Sequence, residues 1–258
     1  MPTYQERTTL PKIVARLRAS VPEADILVLD DNSPDGTGEV ADGLAAADPQ
    51  VHVLHRPGKQ GLGPAYLAGF DWAHEHGYEL VVQIDADGSH QPEELPALLE
   101  ASRTTGAEVV IGSRWVPGGS VHHWPAHRRW LSVGANTYAR LALGIPVRDS
   151  TAGFRVYRLA ALRAMTTTAV ASQGYCFQID LTVRALEQGL RVVEVPIAFV
   201  ERAEGTSKMS DAIVREAIVK VGVWGARRRA RQVRRLVGEQ HRARDRSRWH
   251  TLDAGGRR

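Results

Sequence analysis

Short apolar runs alternate with segments of helical spacing along most of the chain. The apolar runs predict strands at residues 26–29, 51–54, 80–84, 109–111 and 192–200. Helical spacing or helix-forming composition predicts helices at residues 10–18, 37–46, 63–74 and 92–102. This alternation predicts an α/β fold in which helices flank a mostly parallel central sheet. Ligands of such sheets bind beyond the carboxyl ends of the strands, so the residues after each apolar run are candidates for chemistry.

The amino terminus departs from this pattern. A first strand should precede Pro2 in a sheet of this kind, yet the sequence starts at Met1. We therefore expect either that a strand is missing before Met1 or that the start was assigned at an internal methionine.

The length and composition of the chain predict one domain and a tail. The 258 residues, of which 43% are hydrophobic, can bury one sizeable core. We expect the domain at residues 1–225 and a basic, partly disordered tail at residues 226–258, where arginines crowd together. The single cysteine, Cys176, excludes an internal disulfide and a cysteine-based metal cluster. Since no stretch approaches the roughly 20 apolar residues of a membrane helix, we expect a soluble or peripheral protein.

Two aspartates directly follow the strand predicted at residues 80–84. Asp85 and Asp87 are two positions apart, which in an extended chain places both carboxylates on one side. Carboxylate oxygens suit Mg²⁺ or Mn²⁺, and either ion would bridge to a nucleotide diphosphate. An acidic turn at a strand end is the alternative interpretation of the same residues.

A second polar segment, residues 30–37, follows the strand predicted at residues 26–29. The Pro-Asp-Gly sequence at residues 34–36 is typical of a turn, and Asp35 is suited to cap the next helix. A carboxylate at this strand end would also suit a base or a ribose. The Gly-Leu-Gly sequence at residues 61–63 is not a dinucleotide-binding loop, because no third glycine follows at the required spacing.

Four cations stand near predicted strand ends or turns, and they are Arg114, Arg128, Arg202 and Lys208. Each alone is more typical of a solvated surface. Together with two aspartates for a metal, they indicate a site for a phosphate-bearing donor and a phosphate-bearing acceptor.

Eight segments, in this order, resemble the polyprenol-phosphate (dolichol-phosphate) mannosyltransferases of glycosyltransferase family 2, and most closely their bacterial branch. The segments are PTYQE at 2–6, LDDNSPDGT at 29–37, GLG at 61–63, DADGSH at 85–90, GSRW at 112–115, DSTAGFR at 149–155, GYCFQ at 174–178 and RAEGTSKM at 202–209. The resemblance extends from residue 2 to about residue 225. Gln5 replaces a usual Asn, Gly88 a common Leu and Trp115 a common Tyr, and none of these changes removes a charge.

The resemblance implies a GT-A (Rossmann-like) fold for nucleotide-diphospho-sugars and assigns roles to individual residues. The guanosine pocket would be lined by Pro2, Tyr4, Glu6, Leu29 and Asp31. The diphosphate would be met by Asp85, Ala86, Asp87 and Ser89, and the metal by Asp85, Asp87 and Ser89. The donor phosphates would be contacted by Arg114, Arg202 and Lys208. The acceptor phosphate would be held by Arg114, Arg128 and Ser132. The catalytic residues would be Asp85, Asp87 and Arg114.

The activity that the resemblance implies is transfer of mannose from GDP-mannose to polyprenyl phosphate, by a single inverting displacement that requires Mg²⁺ or Mn²⁺. The lipid acceptor implies a cytoplasmic protein, peripheral at the inner face of the cell membrane, with a membrane-embedded anchor protein as partner. An apolar stripe at residues 213–224, followed by arginines at residues 227–235, is suited to an anionic membrane interface. Packing of that stripe on the domain is the alternative.

Two other functions stay open at this point. The same fold would serve a glucosyltransferase that uses UDP-glucose, although the segments at 149–155 and 202–209 favour mannose. A basic scaffold or nucleic-acid-binding protein would explain the arginine tail. Retention of Asp85 and Asp87 argues against it, and no aromatic stacking platform accompanies the arginines, so nucleic acid is not an expected partner.

Overall fold

The computed structural model describes residues 1–166, 175–201 and 218–230. Its strands are β1 (Pro2–Thr3), β2 (Ile26–Asp30), β3 (Val51–His55), β4 (Leu80–Gln83), β5 (Val109–Ser113), β6 (Ser120–His122), β7 (Arg155–Arg158), β8 (Val192–Pro196) and β9 (Ala198–Val200). Its helices are α1 (Leu10–Ser20), α2 (Thr37–Ala47), α3 (Leu62–Glu75), α4 (Leu95–Thr105), α5 (Ala126–Leu143), α6 (Leu159–Thr166), α7 (Tyr175–Glu187) and α8 (218–230), with a 3₁₀ turn at Pro92–Glu94 before α4.

The predicted strands and helices are all present, with bounds that shift by a few residues. The apolar run at 192–200 is the exception, since it forms β8 and β9 rather than one strand. Ile197 separates them because its N–H donates to the carbonyl of Ser113 while its side chain enters the core. β9 then pairs with β6 instead of continuing along β5.

The strands form a mixed sheet system that confirms the predicted α/β fold. β1, β2 and β3 are parallel, and β5 is parallel to β8. β7, which the sequence did not predict, runs antiparallel between β4 and β5, so this sheet is mixed. Successive side chains of β5 point to opposite faces of the sheet and pack in two separate hydrophobic clusters. Val110 packs with α1 and α4, whereas Val109 and Ile111 pack with α3 and α5–α7.

A cleft separates β2 from β4. β1 pairs only with Leu29 and Asp30, and the terminal amine of Met1 donates to the carbonyl of Leu27 at 2.9 Å. β1 spans only Pro2 and Thr3, and the strand expected before Met1 stays a prediction. Beyond β1 lies a cavity of about 820 Å³, lined mainly by residues of β2, β4, α3 and α4. Burial in this cleft lowers the pKa of the Met1 amine to about 5.

Helix α8 packs against α5. Gly225 lies so close to the carbonyl of Ala142 that a Cβ at residue 225 would overlap it. The Arg229 guanidinium donates to the carbonyl of Leu141 at 3.1 Å, so the packed helix extends past the domain boundary expected at residue 225. Within the described ranges, no helix is long and apolar enough to cross a bilayer.

Candidate active site

The loop after β4 carries the two candidate metal-binding carboxylates. Asp85 keeps 35% of its side chain exposed, and its Oδ1 accepts a hydrogen bond from the Tyr66 hydroxyl at 3.1 Å. Asp87 accepts the backbone N–H of Ser89 at 3.0 Å, which closes a tight turn after the strand. The carbonyl of Ser89 in turn accepts the N–H of Val200, so β9 is attached to this turn. The structure thus places Asp85, Asp87 and Ser89 in one compact loop.

Two buried side chains, Tyr66 and His90, contact Asp85. Tyr66 comes from α3 and stacks on Phe177 of α7, with ring centroids 6.2 Å apart. Burial, reinforced by the neighbouring Asp85, raises the pKa of the Tyr66 hydroxyl well above its ordinary value, so it is a permanent donor. His90 lies 3.8 Å from Asp85, and burial lowers its pKa, which keeps the imidazole neutral at pH 7. A Cβ at Gly153 would stand 3.4 Å from the Asp85 carboxylate, so a larger residue there would crowd this carboxylate.

The expected nucleotide pocket forms where the loops after β1 and β2 meet. Asp30 is buried and accepts hydrogen bonds from Thr3 at 3.2 Å and from the Ser33 hydroxyl at 2.6 Å. Ser33 also accepts the backbone N–H of Gln5 at 3.1 Å. These bonds hold the two loops together, and Asp30 is a residue whose importance the sequence did not indicate.

The structure brings most of the expected guanosine-pocket residues to these loops. Pro2 lies in β1, and Tyr4 and Glu6 follow it in the partly exposed loop, where the Lys59 ammonium sits 4.4 Å from the Tyr4 ring. Asp31 is buried and forms an ion pair with Arg56, a partner 25 residues away that the sequence analysis missed.

Two residues that the resemblance assigns to the donor site, Leu29 and Ala86, have buried side chains. The Leu29 side chain is 1% exposed and packs against Gly69 of α3. Ala86 is 2% exposed and belongs to the core cluster beside α1 and α4. Both side chains thus contribute to packing, and the donor-site roles that the resemblance assigns to these residues stay predictions.

Arg114, which directly follows β5, forms a buried ion pair with Asp149. The guanidinium of Arg114 donates to both carboxylate oxygens of Asp149, at 2.8 and 2.7 Å, and to Thr151 at 2.9 Å. Asn136 of α5 donates to Thr151 and to the carbonyl of Ser132, which connects α5 to the pair. Although burial alone would raise the pKa of Asp149, Arg114 holds it below its ordinary value. Arg114 thus forms a buried ion pair with Asp149, and the contact with phosphates that the resemblance assigns to it stays a prediction.

The first turn of α5 presents Arg128. Its guanidinium lies 4.3 Å from the ring centroid of Trp124 and forms an ion pair with Glu201, and both charged side chains are about one quarter exposed. α5 begins after Pro125 with no side-chain cap and no acidic residue in its first turn. Ser132 follows Arg128 by four positions and therefore lies on the same side of α5.

Aromatic rings connect the two halves of the site. His90 contacts Phe199 with centroids 5.2 Å apart, and Phe199 contacts Trp124 at 5.3 Å. The Arg128 guanidinium lies over the ring of Trp124, at the end of this series. The guanidinium of Arg114 lies 5.3 Å from the centroid of the Phe199 ring. Successive side-chain contacts therefore connect Asp85, which lies 3.8 Å from His90, with Arg128, and no sequence pattern had indicated this connection.

Some expected residues are not among those described. Arg202 and Lys208, predicted to contact the donor phosphates, fall in the undescribed range 202–217, and the tail beyond residue 230 is likewise outside the described chain. In the described part, no group of three or more His, Cys, Asp or Glu side chains is arranged to hold a metal ion.

Carboxylates at a strand end beside a basic half-site, on a mixed α/β sheet, define a GT-A glycosyltransferase. The chain belongs to glycosyl transferase family 2, whose sequence profile matches residues 1–166. It is 56% identical over 238 residues to polyprenol monophosphomannose synthase of Mycolicibacterium smegmatis, covering 92% of this chain and 89% of that protein. It is 55% identical to undecaprenyl-phosphate mannosyltransferase of Micrococcus luteus, covering 92% and 97%. The resemblance drawn from the sequence is confirmed.

Solved structures show the same fold at low identity. Glucosyl-3-phosphoglycerate synthase from Mycobacterium tuberculosis, in complex with Mn²⁺, UDP-glucose and phosphoglyceric acid, superposes with a TM-score of 0.66 at 20% identity. The match covers 87% of this chain and 78% of that one. This likeness confirms the GT-A fold.

Proposed function

We propose that this enzyme transfers mannose from GDP-mannose to a polyprenyl phosphate. The names of the two relatives support both the sugar and the lipid class of the acceptor. The observation that carries the proposal is the series of contacts that runs from the partly exposed carboxylate of Asp85 through His90, Phe199 and Trp124 to the guanidinium of Arg128. Transfer between two phosphate-bearing substrates requires such paired half-sites.

The donor half of the site has the chemistry that a diphosphate with its divalent ion requires. Asp85 and Asp87 offer hard oxygens, and Ser89 adds a third oxygen in the same loop. Two carboxylates suit an ion that takes its remaining ligands from substrate phosphates and water. When bound, Mg²⁺ or Mn²⁺ offsets the charge of the departing nucleoside diphosphate. The base would lie at the loops joined by Asp30 and Ser33, with Arg202 and Lys208 completing the donor contacts.

The acceptor half of the site explains how a phosphate oxygen acts as nucleophile. A phosphomonoester is ionised at neutral pH, because its second pKa is about 6, so no strong general base is needed. The neutral, buried His90 is accordingly a packing and positioning group. Arg128 and the uncapped first turn of α5 hold the acceptor phosphate, with Ser132 on the same side. Catalysis then consists of positioning and charge neutralisation.

The outward side of α5 supports docking at a membrane surface. Trp130 is 74% exposed and Leu141 65% exposed, and Leu131 and Tyr138 share the exposed side. α8 adds Ile218, Val219 and Val223, while Val221 packs on the domain. Arg128 begins the helix that carries this apolar surface, as a lipid with a phosphate head at the bilayer interface requires. We extend the proposal to a peripheral location at the cytoplasmic membrane face, aided by a membrane-embedded anchor protein.

Radiolabelled donors test the proposed reaction. Purified protein is incubated with Mg²⁺ or Mn²⁺, vesicles containing undecaprenyl phosphate, and labelled GDP-mannose, UDP-glucose or UDP-galactose in separate reactions. We expect label from GDP-mannose alone to enter a lipid that mild acid releases. Label from UDP-glucose would establish the glucosyltransferase alternative, and absence of labelled lipid with every donor would refute the proposal.

A further inference from the structure

Glu201 occupies the place where the acceptor phosphate is expected. Its carboxylate forms an ion pair with Arg128, and both side chains are about three quarters buried. Two backbone bonds fix its position: the Glu201 N–H donates to the carbonyl of His122 at 3.1 Å, and Val200 donates to Ser89. Glu201 is therefore held at the end of β9, between the carboxylate loop and α5.

The surroundings of Arg128 contain hydrogen-bond donors that a carboxylate leaves unused. The indole Nε1 of Trp124 is buried and has no hydrogen-bond partner among the residues that the structure describes. The first turn of α5 has no side-chain cap. A tetrahedral phosphate has more acceptor oxygens than a carboxylate and carries about −1.5 to −2 charges at pH 7, so it fits this set of donors better.

We propose that Glu201 is an internal counter-anion that the acceptor phosphate displaces from Arg128. This inference rests on the proposed function of Arg128. Before the acceptor binds, Glu201 neutralises the guanidinium and holds it over Trp124. When a phosphomonoester arrives, its greater charge and larger number of oxygens let it take over Arg128. Glu201 thus sets the affinity for the acceptor and excludes weaker anions, and it acts as a positioning and specificity residue.

Binding of small phosphates to the full chain tests this inference. We would measure the Kd of geranyl phosphate, a soluble prenyl monophosphate, and of inorganic phosphate by calorimetry. Glu201→Gln removes the competing charge while Trp124 still supports Arg128, so both Kd values should fall about fivefold, the effect of a part-buried ion pair. Chloride should also compete more strongly in this variant, which a merely structural role would not produce.

The matched control is Glu93→Gln, which removes the same charge from an exposed ion pair with Arg16, on α1. It should leave both Kd values unchanged. In Glu201→Asp the carboxylate is one methylene farther from Arg128, so both Kd values should lie between those of the unmodified protein and Glu201→Gln. This second variant also tests the inference if Glu201→Gln folds poorly. Unchanged or weaker phosphate binding in both Glu201 variants would overturn the inference. If Arg128→Ala also binds geranyl phosphate normally, the proposed acceptor site fails as well.

Discussion

The hydroxyl of Tyr66 donates a hydrogen bond to Oδ1 of Asp85 at 3.1 Å, from a helix 19 residues earlier in the chain. This bond orients a candidate metal-binding carboxylate from behind, since the phenol is buried in the core. Partners of this kind tune metal sites without touching the ion.

Tyr66→Phe should therefore weaken Mn²⁺ binding about tenfold in the presence of GDP, because Asp85 loses its orienting donor. Electron paramagnetic resonance of free Mn²⁺ measures this directly. Tyr78→Phe is the control, since Tyr78 donates a similar bond to Asp25 at 2.7 Å, remote from the site. Equal Mn²⁺ affinity in both variants would show that Tyr66 does not support the metal site.

Asp87→Asn should reduce transfer on the order of a hundredfold or more, because it removes a charge that faces the metal without changing side-chain volume. The melting temperature should stay close to that of the unmodified protein. The exposed Asp42, which pairs with His55, provides the matched control Asp42→Asn. Near-normal turnover of Asp87→Asn with metal still required would exclude Asp87 from the metal site.

Arg128→Ala should raise the KM for polyprenyl phosphate about tenfold and leave the Kd of GDP-mannose nearly unchanged. Arg202→Ala should do the reverse, because the resemblance assigns Arg202 to the donor phosphates. Arg129→Ala, at an exposed neighbouring position on α5, should change neither. Steady-state kinetics with vesicles and calorimetry with GDP-mannose separate the two constants, and an inverted pattern would refute this division of roles.

Asp149→Asn should destabilise the fold by about 3–5 kcal/mol at pH 7, because it leaves the buried Arg114 without a counter-charge. The folded-state pKa of Asp149 is lowered from 3.8, so its contribution is complete above that value and is lost as pH falls through the folded pKa. The two free energies of unfolding, measured with urea, should therefore differ fully above pH 3.8 and converge only at more acidic pH, once the folded-state pKa of Asp149 has been passed. Glu100→Gln, in an exposed pair with Arg103, should match the unmodified protein throughout. A difference independent of pH would contradict the electrostatic explanation.

The cleft between β2 and β4 predicts that an added strand stabilises the sheet. β1 and β4 are edge strands of their described sheets, and the apolar cavity lies beyond the short β1. Extending the chain before Met1 by five Val- and Ile-rich residues should raise the melting temperature by about 5 °C. A Gly-Ser extension of equal length should not. If the two extensions behave alike, the cleft does not accept a strand.

The sequence best predicted the strands and helices in which the spacing of apolar residues follows from packing against a hydrophobic core on one or both sides. β2, β3 and β5 are short apolar runs, and α1 has an apolar side that packs at residues Leu10, Ile13 and Leu17. β7 escaped prediction because it begins and ends with arginine. Arg155 is completely buried, and its charge is satisfied by the carbonyls of Ser150, Ala152 and Gln178, which only the folded chain assembles.

The candidate site was predicted in part. Asp85 and Asp87 were found because local spacing carries the signal, whereas Asp149 and Glu201 were missed as partners because 35 and 73 residues separate them from Arg114 and Arg128. α5 was not predicted as a helix, because its large apolar side chains Trp130, Leu131 and Leu141 are exposed while its buried side includes the polar Asn136, which obscures the amphipathic pattern.

One helix carries both Arg128 and the exposed apolar side chains of α5, and this has a kinetic consequence. An enzyme docked through that surface meets its acceptor by lateral diffusion in the plane of the bilayer. Turnover then follows the mole fraction of polyprenyl phosphate among the lipids rather than its bulk concentration. Adding inert phospholipid at constant enzyme and acceptor should slow the reaction by surface dilution, while the dependence on soluble donor stays unaltered.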